Sequence, residues 1–317
     1  VPTLAELPIC LRPIPCRFRF GKSRYAEFMA RLLPELGRLA EPSAMVLTRS
    51  LGVALAGQLV VRRLALELHQ DLSPRARLVA PLLGRHVRWV AISGNLRDHL
   101  IRQYGVAPDH VAACHDAVDY DRFAAAVPLG LSERPLPAAY AGPVHLYYGT
   151  LRPERGLLLI AAAARALPNH GFVLIGGTTA EAEAARALGL DLPNVLILPA
   201  VAHAQIPGLL CSYDSVLLPY TRDVGTHRWM SPLKLFEAMA SGTPAVVSRL
   251  GPIVEVVSSE HVAFINCERL DGLVEALLDI ERNPEAARAR AVLGQQLSRE
   301  RHTWERRARD IIDLTFT

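Results

Sequence analysis

Lysine is nearly missing from this chain: of 35 basic residues among 317, only Lys22 and Lys234 are lysine, and the rest are arginine. Net charge is scarce as well. At +4, with its basic residues dispersed, the sequence has no concentrated basic stretch of the kind nucleic acid needs, which leaves an anionic small molecule or a lightly charged membrane surface as partner. Apolar runs such as 157–164 fall well short of the roughly 18 residues of a membrane span, and no signal-peptide pattern opens the chain, so a cytosolic protein is expected. Five cysteines without a C-x-x-C pair argue against a disulfide framework or zinc site. Eleven histidines without an H-E-x-x-H spacing predict no structural metal. No repeat of solenoid period occurs either.

What is present is an alternation of short apolar runs with helical patterns, the rhythm of parallel α/β sheets. In the first part strands are predicted at 45–48, 64–68, 89–93 and 111–114, with helices at 24–40, 51–61, 74–83 and 95–104. Residues 1–20, rich in proline, read as an irregular lead-in. A Pro/Gly/Ala-rich passage at 124–143 reads as a linker. Strands at 144–148, 172–175, 195–198, 215–218, 245–248 and 262–265 follow, with helices at 156–167, 181–188, 232–240, 270–282 and 284–297. The expected fold is α/β, with two Rossmann-like doubly wound domains facing a cleft. Their expected limits are 1–140 and 141–300, with the amphipathic terminal helix in 301–317 packing back on the first.

Ser231-Pro232-Leu233-Lys234-Leu235-Phe236-Glu237 begins a helix with marked ends, since Ser231 suits the N-cap, Pro232 the first helical position, and Gly242 with Pro244 the stop. Amides at such a start attract anions, and the rare Lys234 stands beside them. Glu237, three residues on, shares its face; the pair fits an anion site or an ordinary surface charge pair. Strand 144–148 runs into Gly149-Thr150-Leu151-Arg152-Pro153-Glu154-Arg155-Gly156 and then a helix, which is either a second anion site carrying Arg152 and Arg155 or a plain connection. Together the two helix starts suit a diphosphate. Ser93 and Asn95 read as caps, and Asp214 and Tyr220 as structural.

In that order and spacing, Tyr148 to Gly156, Val216-Leu217-Leu218-Pro219-Tyr220 and Ser231 to Ala240 resemble the donor domain of retaining GT-B glycosyltransferases of family four. Further landmarks are Glu67-Leu68-His69, Ala91-Ile92-Ser93 and Val118-Asp119-Tyr120-Asp121-Arg122-Phe123, so the resemblance spans about residues 45–317. It implies sugar transfer from a UDP- or GDP-linked donor to a glycan, glycolipid or lipid-linked acceptor, with retention and with neither cofactor nor required metal. By the same resemblance Arg155 and Lys234 stabilise the leaving diphosphate, while Gly149, Thr150, Arg152, Ser231, Pro232 and Leu233 line the donor site. Glu237 would bind the donor ribose, and His69 would reach the donor sugar from the first domain. Polysaccharide or glycoconjugate assembly, with peripheral association at the inner membrane face, goes with such acceptors.

The chain departs from the pattern at four places. The first of the family's two glutamates falls on Trp229, its arginine on Thr150 and its lysine on Arg155. No strand and glycine-rich loop precedes Met45, so the first domain is expected to be shortened at its front. A competing reading is a non-catalytic nucleotide-sugar-binding or partner protein. An epimerase on the same fold ranks last, because extra cleft carboxylates and histidines are not evident.

Overall fold

The structure, a computed structural model, describes residues 21–39, 44–130, 132–225 and 227–316, and the predicted lead-in at 1–20 lies outside them. The chain divides into two compact units, Val1–His115 with Glu305–Thr317, and Asp116–Trp304. In the first, β1 (Val46–Thr48), β2 (Leu64–Leu68), β3 (Val87–Ala91) and β4 (Val111–Ala113) form a parallel sheet in that order. Parallel pairing requires crossovers, which the helices Leu51–Gly57, Pro74–Val79 and Gly94–Tyr104 supply. Each starts on a serine whose hydroxyl accepts from the amide three residues later: Ser50 from Val53, Ser73 from Ala76 and Ser93 from Leu96, all at 3.3 Å. Gly105, at φ 65°, ends the third. The helix Trp304–Phe316 closes this unit, placing Ile311 in a cluster with Ala65, Val90 and Cys114.

The second unit holds six parallel strands, β5 (Val144–Tyr148), β6 (Gly171–Ile175), β7 (Val195–Leu198), β8 (Ser215–Leu218), β9 (Ala245–Ser248) and β10 (Ala263–Ile265). Their order, β10-β9-β8-β5-β6-β7, is that of a doubly wound sheet whose chain reverses direction between β5 and β8. Alternate residues of β5 feed two cores: Val144, Leu146 and Tyr148 face one, Tyr147 the other. Ligands of such sheets lie beyond the carboxyl ends of the strands flanking the reversal.

The division between the units falls earlier than the predicted limit at 140. Residues 116–140 form part of the second unit because its core captures them. Phe123 is buried there, the Leu129 amide donates to Ser212 Oγ at 2.7 Å, and Tyr213 donates to the Pro135 carbonyl at 2.9 Å. The predicted linker at 124–143 is therefore cladding on the second sheet. At the far end the chain leaves the second unit at Trp304, four residues beyond the expected limit of 300.

Candidate functional site

Beyond β5 the chain turns on Gly149, at φ 133°, where a Cβ would lie 1.8 Å from Lys234 Nζ. Gly156, at φ 86°, closes the turn, and a Cβ there would lie 1.9 Å from the Pro219 carbonyl oxygen. Both glycines are thus required by close approach as well as by backbone angle. Between them Arg155 lies 5.5 Å from the Tyr220 ring, and its Nε is buried with no hydrogen-bond acceptor among the described residues. Thr221 anchors the turn to the exit of β8 through its amide and hydroxyl, each 3.1 Å from the Glu154 carbonyl.

Opposite this turn begins the helix Leu233–Ala240. Lys234, in its first turn, holds its ammonium 5.3 Å from the Tyr148 ring centroid. Burial and then the Arg155 cation lower its pKa to about 8, against the pull of Glu237. Glu237 is 4% exposed and does not form the surface pair with Lys234 that its spacing allowed. Its Oε2 accepts from the Tyr148 hydroxyl at 2.7 Å, and its Oε1 lies 2.8 Å from His203 Nε2. Burial and the neighbouring carboxylate together drive the Tyr148 phenol well above its ordinary pKa, so it remains a hydrogen-bond donor.

One expectation is corrected. The N-cap is Pro232, whose ψ of 67° lies outside the helix, and Leu233 is the first helical residue. Ser231 makes no cap bond because its hydroxyl accepts from the Asp116 amide at 2.7 Å, a tertiary contact that displaces the local one. The helix stop is as the sequence indicates, with Gly242 left-handed at φ 71°.

Within the second unit the structure thus gathers Gly149, Arg155, Lys234 and Glu237. Thr150 and Arg152 are exposed. Arg152 Nε donates to Glu181 at 2.9 Å, which holds it along the neighbouring helix start. His69 lies in the first unit, directly after β2, with Nε2 bonded to the buried Glu67, which also meets Arg307 at 3.2 Å. Asp214 is structural, as its spacing suggests: it accepts from the Val144 amide at 2.7 Å. His203 was not foreseen, since it reaches Glu237 from a turn 34 residues away in sequence and no local pattern marks it. Among the described residues no group of His, Cys, Asp and Glu is placed to hold a metal ion.

Among the described residues the first sheet runs in sequential order, without the reversal expected of a doubly wound domain, whereas the second is doubly wound and carries Arg155 and Lys234 at its reversal point; two such parallel α/β units are the architecture of the GT-B class. Residues 142–283 match the family model described as glycosyl transferases group 1. A D-inositol 3-phosphate glycosyltransferase of Xylanimonas cellulosilytica is 26% identical over 239 residues, covering 71% of this chain and 55% of the relative. The chain therefore spans only about half the length of that curated relative. Among solved structures, a glycosyltransferase from Rickettsia africae superposes with a TM-score of 0.74 at 13% identity, covering 94% of this chain and 83% of its own. Anabaena HepE in complex with UDP and glucose gives 0.66 at 18% identity, covering 96% and 82%. At such identities the likeness is one of fold.

Proposed function

We propose that this protein is a retaining glycosyltransferase that moves a sugar from a UDP- or GDP-linked donor to a glycan, glycolipid or related acceptor, without a required metal or cofactor. The observation that carries the proposal is the pairing of Lys234 with Arg155 beside the Gly149 turn, at the reversal point of the sheet. Burial first and then the neighbouring Arg155 cation disfavour the charged form of Lys234, so two cations stand close together with little solvent to screen them. A diphosphate placed between them relieves their repulsion, and in the transition state the same cations meet the charge growing on the leaving group. Glu237, fixed by Tyr148 and His203, is the carboxylate available to ribose hydroxyls. HepE was solved with UDP and glucose, which supports a nucleotide-sugar donor for this fold. His69 is assigned to the donor sugar on the resemblance of its motif, and the cytosolic side, with a glycan or glycoconjugate acceptor, is the setting we propose.

Thermal-shift measurements with UDP, GDP, ADP and their sugars test donor binding, because a ligand that binds only the folded chain raises its melting temperature. Stabilisation by UDP or GDP that disappears in Lys234→Ala is expected. Donor hydrolysis or transfer should fall sharply in Lys234→Ala and in Glu237→Ala, and full activity in both would sink the assignment. Trp229, standing where the family pattern has a carboxylate, favours one second reading: a binder without turnover. Nucleotide affinity with no transfer across an acceptor panel would support that reading.

A further inference from the structure

Strand β2 reads Leu64-Ala65-Leu66-Glu67-Leu68, and all five residues are buried, so one carboxylate stands in a strand otherwise made of aliphatic side chains. Burying an acid is unfavourable unless partners compensate it. An aliphatic residue in its place would serve packing as well or better, so packing does not explain Glu67. Its Oε1 accepts from His69 Nε2 and lies 3.2 Å from a terminal nitrogen of Arg307, on the helix Trp304–Phe316. Burial raises the Glu67 pKa, but the His69 bond and then the Arg307 cation outweigh it and bring the value below normal. The group is therefore a charged carboxylate at neutral pH.

His69 follows β2 directly, and its side chain is 26% exposed. Side chains alternate along an extended chain, so residues 67 and 69 share a face and the acid backs the ring. An ionised carboxylate only accepts hydrogen bonds, so the neutral ring facing it carries its proton on Nε2. Nδ1 is left with its lone pair, and no group among the described residues donates to it. The loop beyond the ring is tied down as well. Asp71 accepts from the Tyr104 hydroxyl at 2.6 Å and from the Leu72 amide at 2.7 Å, and it meets Arg77 at 2.7 Å.

We propose that Glu67, backed by Arg307, is a positioning residue for His69: it locks the ring in its Nε2–H form and so presents Nδ1 as a hydrogen-bond acceptor to a sugar hydroxyl. The role rests on His69 contacting the donor sugar, whereas the tautomer of the ring does not depend on that contact. Without the carboxylate nothing on the page selects one tautomer, and only the Nε2–H form can accept at Nδ1. A sugar hydroxyl is a fitting partner, because it donates readily to such a lone pair.

Long-range proton–nitrogen NMR of the full chain with labelled histidine reads the tautomer, the His69 signals being assigned by their loss in His69→Asn. At mildly alkaline pH a protonated Nε2 and a bare Nδ1 are expected; the opposite tautomer or an even mixture would overturn the positioning role. Glu67→Leu combined with Arg307→Leu removes both buried charges together, so its melting temperature should stay near that of the wild type while the ring loses its fixed tautomer. Thermal stabilisation by UDP or GDP should persist in this double variant, whereas kcat for donor hydrolysis or transfer should fall about tenfold, the effect of one lost hydrogen bond. Glu67→Gln, which keeps an acceptor oxygen beside the ring, should keep the tautomer and recover most of the rate. A folded double variant with the wild-type tautomer or wild-type kcat would overturn the proposal, and the wild-type spectrum still decides the tautomer if that variant does not fold. A wild-type chain that turns over no donor would remove the sugar contact together with the proposed function, an outcome distinct from a ring found in the wrong tautomer.

Discussion

Lys234 gives the candidate site a pH dependence of defined sign. With its pKa lowered to about 8 in the unliganded pocket, it is largely protonated below that pH and loses its proton above it. A diphosphate binds the ammonium and raises its pKa, so nucleotide affinity is expected to hold below about 8 and to fall above it by up to about tenfold per pH unit. Titration calorimetry with UDP or GDP across that range checks the slope, and Lys234→Ala should be weak and flat. Gly149→Ala tests the same pocket sterically. Its Cβ would lie 1.8 Å from the ammonium at a positive φ, so loss of nucleotide-induced thermal stabilisation is expected together with a lowered melting temperature. His203 calls for a third comparison. Removing its ring in His203→Ala frees Glu237 Oε1, and nucleotide affinity should fall several-fold, about 1 kcal/mol for a lost hydrogen bond. His203→Gln, which restores a donor, should recover part of it.

At the scale of elements, the strands were readable because each is an apolar run of three to five residues between turn-forming residues. β5 and β2 match their expected limits residue for residue. The helices Tyr120–Ala124, Ile206–Leu210 and Gly251–Val254 are too short to show a helical period, and the sequence does not announce them. The start of Leu233–Ala240 was misplaced because a hydroxyl that fits a cap was used by the backbone of Asp116, far away in sequence. Gly149, Arg155, Lys234 and Glu237 were legible as a site because turn and helix are local motifs. Tyr148 and His203 as partners of Glu237 were not, because only the folded sheet brings them together. Strand β5 also carries a buried polar chain: His145 lies 2.9 Å from Ser215 Oγ and 2.9 Å from His170, whose other nitrogen is 3.4 Å from Glu281. Burial and then His170 lower the His145 pKa from 6.5 to about 3. The unfolded ring takes up a proton as pH falls below about 6.5 while the folded ring does not, so stability present above that pH is lost progressively down to about 3. The unfolding free energy from urea titrations should decline over this window by about 1.4 kcal/mol per pH unit at most, and more shallowly in His145→Asn.

For the whole molecule, the consequential fact is that the first unit is built from two separated stretches of chain. The chain runs through all of the second unit before the helix Trp304–Phe316 returns to complete the first. Ile311 is 2% exposed there, Arg307 Nε donates to the His115 carbonyl at 2.8 Å, and Arg307 meets the buried Glu67 at 3.2 Å. Against the opposing effect of burial, the His69 hydrogen bond and then the Arg307 cation hold Glu67 below its ordinary pKa, so the carboxylate takes part of its counter-charge from the returning helix. Ending the chain after Trp304 would strip an apolar contact from Ala65 and Val90 and leave Glu67 with only His69 as a partner. Breaking one side of a buried pair costs about 3–5 kcal/mol, comparable with the whole stability of a small domain. In hydrogen exchange, the shortened chain should therefore lose protection in β1 to β4 while β5 to β10 stay protected. Stabilisation of that second sheet by UDP or GDP should survive, since Gly149, Arg155, Lys234 and Glu237 all lie within it. Loss of protection in both sheets together would show that the two units fold as a single cooperative body.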